Sequence, residues 1–442
     1  MISRALAAFT LSALLAATMP SQAQDPKEPT KLPELKWPLK IGDKDLNTWL
    51  KDLRDPDPTI REAALKTIPG FGPDVTKKQA SKAILLRMKL PGDGGEDDPG
   101  VRISLYDTAA LIGFDDPKDE TEAIRLLAET VDKSVSGSHG RLHAVQTIAT
   151  LGPKAEPYIS LIAGRAIEDA SYETRRNIAR CLGQVSSNPT KGPNTKALNA
   201  LAGTLARDKS VAVRMEALQA LVMLGPPWAE IRKPDDKGPL KINQKAADFV
   251  ADAMRTRIHK GTAKGAELDK QLEIWCRVVL MRFDPKEIND ENFTAIARHC
   301  EAKDAGPKIQ ALQALNIFGE AAGSKVDAVV GVLGDDDAQV LSVAIATLAS
   351  MGVKGQGAID KLAEQEKKWE KLRQEQLTKN LKDKKFAEAY DKLEQKEKDQ
   401  VIAAMPQEQI RSSLANAIKW IKASKPGMPG GELAKPPEPE KK

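Results

Sequence analysis

The sequence predicts an all-α protein, an α-solenoid of stacked antiparallel helical hairpins with extra charged helices near its C-terminal end. Three observations carry that expectation. Apolar residues recur at helical spacing in segment after segment, and a glycine closes most of those segments at a repeating interval. Aromatic residues make up only 4% of the chain, so its core must be aliphatic, which suits close helix packing better than a β-sandwich. The pattern is clearest between Asp304 and Gly352, where it runs twice. Ile309, Leu312, Leu315 and Ile317 mark one buried face, and Val340, Val343, Ala344, Leu348 and Met351 the next. Gly319 and Gly352, the two stops, lie 33 residues apart.

In chain order, residues 1–23 read as a secretory leader. Arg4 supplies the positive charge, Ala5 to Thr18 an uncharged apolar run too short to span a bilayer, and Ser21-Gln22-Ala23 a small-x-small cleavage site. The mature chain is therefore expected to be exported, periplasmic or extracellular, with no membrane span after leader cleavage. Residues 24–40 contain Pro26, Pro29, Pro33 and Pro38 and are expected to be an extended lead-in.

Repeats occupy residues 45–360. Anchored on their closing glycines they end at Gly72, Gly113, Gly152, Gly183, Gly225, Gly319 and Gly352, with a degenerate copy ending near Phe283. Eleven residues before most stops stands a cation: Arg61, Arg102, Arg141, Arg214 and Lys308. Small residues follow, at Ala64, Ala144, Ala217 and Ala311, each beside a larger one: Leu65, Val145, Leu218 and Leu312. Small residues let two helices approach closely, and the neighbouring aliphatic fills the groove. The glycine supplies a left-handed residue that ends the helix, and Pro73, Pro153 and Pro226 prevent its continuation. In the cleanest unit the expected elements are a helix over Ala155–Glu168, a turn at Asp169–Ser171 and a helix over Tyr172–Leu182. One hairpin cannot cover its own apolar face, so the copies must stack.

The spacing Asp-x5-Arg, at Asp55/Arg61, Asp169/Arg175 and Asp208/Arg214, together with the Ala-Leu helix and terminal glycine, resembles HEAT repeats. The resemblance is closest to the short kind found in phycobilisome-lyase-type proteins, here in an exported bacterial member. It covers about residues 45–360. It implies a right-handed solenoid in which such Asp and Arg residues brace neighbouring units. Some copies depart from it: Leu341 stands where an Arg would follow Asp335, and Arg175 sits three residues out of register relative to Gly183.

Beyond the repeats, residues 361–423 read as charged helices. Lys361 to Gln400 holds twelve basic and ten acidic residues, a mixed-charge surface and not a basic patch. Ile410, Leu414, Ile418 and Ile421 line one side of a helix opening at Pro406, expected to cap the array. Residues 424–442, rich in Pro and Gly, are expected to be disordered.

A net charge of +5 over 442 residues is a weak field and excludes a nucleic-acid footprint. Catalytic patterns are missing. His139 and His143 lie four apart, but Gly140 occupies the position where a zinc protease motif carries its general base. His299, Cys300 and Glu301 are adjacent, and adjacent positions on a helix do not face one site. The loop Gly92 to Asp97 is acidic and lacks calcium-loop spacing. Cys181, Cys276 and Cys300 are too far apart for a disulfide framework; pairing of Cys276 with Cys300 is left open.

The resulting expectation is a non-catalytic protein-interaction scaffold of the cell envelope, with no cofactor or metal and another protein as partner. Its partner surface is expected on the exposed sides of the hairpins or the loops at Gly92–Pro99, Gln184–Thr195 and Pro226–Asn243. The alternatives are a structural subunit attached through its C-terminal helices, or a lyase-type enzyme on the same scaffold.

Overall fold

The computed structural model describes residues 36–133, 137–186, 193–225, 243–258 and 269–425. The leader, residues 24–35 of the lead-in, residues 187–192 and 226–242 of the two expected loops at Gln184–Thr195 and Pro226–Asn243, and the tail after residue 425 lie outside the described residues. The chain divides into two compact units, Trp37–Ala314 and a second that begins at Leu315.

The first unit opens with a small hairpin, β1 (Lys40–Ile41) and β2 (Lys44–Asp45), turning at Gly42. Two helices follow, α1 (Leu46–Asp52) and α2 (Pro58–Thr67), then α3 (Pro73–Gln79). A series of hairpins comes next: α4 (Ser81–Met88) with α5 (Pro99–Ile112), α6 (Pro117–Lys133) with α7 (Gly137–Leu151), and α8 (Ile159–Gly164) with α9 (Tyr172–Ser186). Two more are α10 (Thr195–Arg207) with α11 (Val211–Leu224), and α12 (Gln244–Ile258) with α13 (Lys270–Phe283). Then come α14 (Asp290–Ala297) and α15 (Ala305–Phe318), within which the division falls. Side chains start many of these helices: Asp45, Asp57, Asp98, Asn194 and Asp269 each accept a backbone N–H of the first turn, a cap that stabilises a helix by about 1 kcal/mol.

The first unit has two layers. The leading helices α4, α6, α8, α10 and α12 each pack on the next, and so do the following helices α2, α5, α7, α9, α11 and α13. The aliphatic pairs lie between them. Ala64, Ala144, Ala217 and Ala311 are fully buried, and Leu65, Val145, Leu218 and Leu312 are at most 2% exposed. Fully burying one such leucine contributes about 2 kcal/mol. The fold is all-α, a stack of helical hairpins.

The leading helix of the cleanest unit is shorter than its periodicity suggests. Gly152–Tyr158 forms 3-10 helix and only Ile159–Gly164 is α-helical. Pro157 lies inside that first stretch and has no N–H to donate. The same seven-residue 3-10 stretch recurs after the other clear stops, at Gly319–Lys325 and Gly352–Ala358.

The stop glycines are not all alike, and Gly72, with φ of 96°, belongs with the positive-φ ones. Gly113, Gly152, Gly319 and Gly352 have φ of 66°, 60°, 50° and 53°, the left-handed conformation expected of them. Gly183 is not a stop at all, since α9 runs through it to Ser186. A Cβ there would lie 2.9 Å from the Cβ of Ala220, so this glycine lets α9 and α11 touch. Gly225 caps α11 in an extended conformation, φ −69°, and a Cβ there would meet Arg282 at 2.9 Å.

In the second unit, α16 (Val326–Val330) and α17 (Ala338–Ser350) repeat the hairpin. The charged region forms α18 (Ile359–Leu381), α19 (Lys384–Asp391), α20 (Gln395–Ala403) and α21 (Pro406–Ala423). α21 packs on α17 and α18 and buries Ile410, Leu414, Ile418 and Ile421, all at most 8% exposed. Arg411 reaches across to Glu366 at 3.5 Å and Glu370 at 3.3 Å, and Arg373 to Glu408 at 3.2 Å, fixing the register of α18 against α21. Among the described residues no helix is long and apolar enough to cross a membrane.

Candidate interaction surface

The repeat-signature residues form a run of nearest-neighbour links along the following helices. Arg61 donates from Nη1 to the carbonyls of Asp55 and Pro56, at 2.9 and 3.0 Å, closing the turn ahead of its own helix. Its Nε and Nη2 donate to the carboxylate of Glu96, at 3.0 and 2.6 Å, in the next hairpin. Arg175 does the same. Nη1 donates to Asp169 O at 2.7 Å and Ala170 O at 3.2 Å, while Nε donates to Asp208 Oδ2 at 2.6 Å. Arg214 closes its own turn through Asp208 O and Lys209 O, both at 3.1 Å. Arg141 Nε lies 2.9 Å from Asp169 Oδ2, but the atoms are misaligned for a hydrogen bond, so that link is an ion pair alone. The acidic partners also order their own turns: Asp55, Glu96, Asp169 and Asp208 each accept the N–H two residues ahead.

Two members of this run are not named by the Asp-x5-Arg spacing. Glu96 stands six residues before Arg102 and takes the place of the Asp. It is 1% exposed and held between Arg61 and Arg87, whose Nη2 donates to it at 2.5 Å. Burial alone would push its carboxyl up, but hydrogen bonds from Arg61, Arg87 and the Asp98 N–H win and hold it at about 2. Arg102, 1% exposed, has no carboxylate on its guanidinium. It donates to the carbonyls of Met88, Lys89 and Glu96 and to Tyr106 Oη instead. The loop from Gly92 to Pro99, expected as a free surface, is thus pinned from beneath, although Asp97 remains exposed. The other is Trp275, six residues after Asp269, which fills the Arg position of the degenerate copy and donates Nε1 to Gln310.

Register counted from these arginines also picks out the residues that bridge neighbouring following helices, buried at Ser104 and Glu216 and exposed further along. The third, sixth and tenth residues of the count share one stripe of each following helix. Its cross-helix contacts consume the charges. Ser104 donates to Glu62 at 3.1 Å, His143 Nδ1 lies 3.0 Å from Asp107 Oδ1, and Arg176 and Arg180 hold Glu216 at 2.9 and 2.8 Å. What is left is neutral: Gln146 and Thr150 of α7, Gln219 of α11, and two outward apolar side chains, Leu111 (70% exposed) and Met223 (58% exposed). Leu111 and Met223 each stand two residues before their closing glycine and therefore occupy equivalent positions in their repeats. The chemistry left to this stripe is amide hydrogen bonding and apolar contact.

Elsewhere, a cleft of about 650 Å³ beside α13 mixes Lys270, Arg277, Arg298 and Lys303 with Glu273, Glu301 and Asp304, and Arg277 is already paired with Glu273. Within it burial lowers the pKa of His299 and keeps that ring neutral at pH 7. Cys181, Cys276 and Cys300 are buried, and Cys276 and Cys300 are not joined in a disulfide. Burial pushes the thiols of Cys181 and Cys300 up to about 12, far from the thiolate a reaction needs.

Residues 159–255, from α8 into α12, match the family model described as HEAT repeats. No curated protein matches. Among solved structures the chain is similar to an engineered protein, at 16% identity and TM-score 0.36 over 86% of this chain and all of that one. It is also similar to Kap121p bound to Ste12p, at 12% identity and TM-score 0.46, covering 85% of this chain. A third is the karyopherin Kap121p bound to the extreme C-terminus of the protein phosphatase Cdc14p, at 11% identity, 73% coverage and TM-score 0.42. The chain spans 41% and 36% of the lengths of those two Kap121p chains.

Proposed function

We propose that this chain is a non-catalytic protein-interaction scaffold of the cell envelope, and that it holds an extended segment of another protein along its following helices. The observation that carries this reading is the uncharged part of that stripe. The charged side chains there are engaged between adjacent helices, Arg176 and Arg180 sharing Glu216 and Asp107 meeting His143, while Leu111, Met223, Gln146 and Gln219 remain available. Exposed apolar side chains among unpaired amides suit a polypeptide, whose backbone presents both donors and acceptors and whose side chains supply apolar anchors. Envelope location rests on the leader-like residues 1–23. The repeats at residues 159–255 favour the scaffold reading over a lyase, and the inert thiols take away one class of nucleophile.

The test is photo-crosslinking in cells from positions 111 and 223, followed by mass spectrometry. A defined neighbour protein is expected, lost when Leu111→Glu and Met223→Glu are combined in a chain that still folds. Neighbours unchanged by the double substitution would overturn the reading.

A second reading, a structural subunit anchored through its C-terminal helices, has one observation of its own. Neither α19 nor α20 buries a single residue, and Phe386 and Tyr390 stack at 5.8 Å while only half covered. Replacing both rings by Glu separates the two: lost assembly with retained crosslinks at position 111 favours the subunit reading.

A further inference from the structure

Near the start of the first unit, α1 and α4 border a depression of about 340 Å³. Leu50, Leu53 and Leu86 make it aliphatic, and Leu86 is 44% exposed there. Lys51, Arg54 and Arg87 complete its lining with Ala83, and no acidic residue contributes. Lys51 and Arg54 are exposed, and among the described residues neither forms an ion pair or a side-chain hydrogen bond. Arg87 gives Nη2 to Glu96, but its Nε is buried without a partner.

The carboxylates close by are already committed. Asp52 holds Lys44 at 2.8 Å, and Glu96 serves both Arg61 and Arg87. Lys51 and Arg54 thus stand beside an aliphatic patch without an ion-pair partner among the described residues, and Arg87 shares the single carboxylate of Glu96 with Arg61. Cations so placed repel one another until an anion arrives, and the patch selects an anion with an apolar part. No aromatic side chain lines the site, so it has nothing on which to stack a nucleobase. Its volume lies at the small end for ligand pockets, room for a few side chains of a peptide.

We propose that this depression docks an acidic peptide segment of a partner protein, aliphatic side chains on Leu50 and Leu86, carboxylates on Lys51, Arg54 and Arg87. None of its residues lies on the stripe of the following helices, so this inference and the proposed function stand or fall separately.

The experiment is fluorescence anisotropy of the full chain with a labelled synthetic peptide of sequence Asp-Glu-Leu-Leu-Glu-Asp. Saturable binding is expected, weakened about tenfold or more by Lys51→Glu combined with Arg54→Glu. Both side chains are exposed, and circular dichroism checks that the variant folds. Replacing both leucines of the peptide by serine is expected to weaken binding to a similar extent, and Lys371→Glu, an exposed cation on α18, to leave it unchanged. Absence of saturable binding overturns the proposal. So does equal loss with the Lys371 variant, equal binding of the serine peptide, or tighter binding of phosphatidylglycerol vesicles than of the peptide at the same two residues.

Discussion

Replacing Glu96 by Gln keeps the side chain's shape and removes its charge, leaving Arg61 and Arg87 facing a weaker acceptor. Glu96 is 1% exposed and its carboxyl is held at about 2 against an ordinary 4.5. Each unit of pKa is worth 1.36 kcal/mol, so ionised Glu96 stabilises the folded state by about 3 kcal/mol. The sign follows from the direction of the shift. A depressed acid contributes fully above its unfolded pKa, and the contribution fades as pH falls from 4.5 toward 2. Glu96→Gln is therefore expected to destabilise the first hairpin by about 3 kcal/mol at pH 7 and progressively less below pH 4.5. In an array, damage of this kind is local. Hydrogen exchange read by mass spectrometry is the suitable assay, with amides of α4 and α5 exchanging roughly a hundredfold faster. Asp97→Asn is the control. Its carboxylate lies 3.4 Å from Arg61 but is 80% exposed, so its loss is expected to cost less than about 0.5 kcal/mol. Unchanged protection in α4 and α5 of the Glu96 variant at pH 7 would refute the reasoning, as would an effect that does not vary between pH 7 and pH 3.

Three other outcomes follow from the same geometry. Asp208→Asn strips the carboxylate from Arg175 in a buried setting and is expected to destabilise α9 and α11 by about 3 kcal/mol, seen as raised exchange there. Gly183→Ala drives a methyl to within 2.9 Å of Ala220 and is expected to cost about 1–3 kcal/mol in denaturant unfolding, with Ala220→Gly restoring most of it. Disulfide-exchange reagents at pH 8 are expected to leave Cys181 and Cys300 unlabelled in the native chain and to label them on unfolding, because burial holds both thiols at about 12.

The aliphatic pairs were legible because burial and helical period write the same pattern twice, as at Ala217 and Leu218. The acidic partner of Arg61 was harder to see. Spacing places it at residue 96, but a Glu stands there, inside a glycine-rich stretch that reads as a surface loop. Gly183 misled for a different reason. Glycine serves both where φ is positive and where two helices touch, and sequence does not say which. Its intervals to Gly152 and Gly225, 31 and 42 residues, held the warning. Counted from Arg175, the stop falls at Ser186, and the intervals become 34 and 39. Arg175 is in register and the glycine is not. The stripe had no signature of its own, because it exists only once Asp107, Glu216 and their partners have met across neighbouring helices.

Two of the leading helices, α8 with six residues and α16 with five, are far below the length at which a helix survives in water unaided. Neither can nucleate by itself. During synthesis α8 emerges before α9, and the earlier helix it packs on is α6. Growth by accretion onto a finished end follows, each newcomer templated by its predecessor. A ribosome paused after any hairpin of the first unit would then carry a settled stub behind it, with only the newest turns still waiting for support.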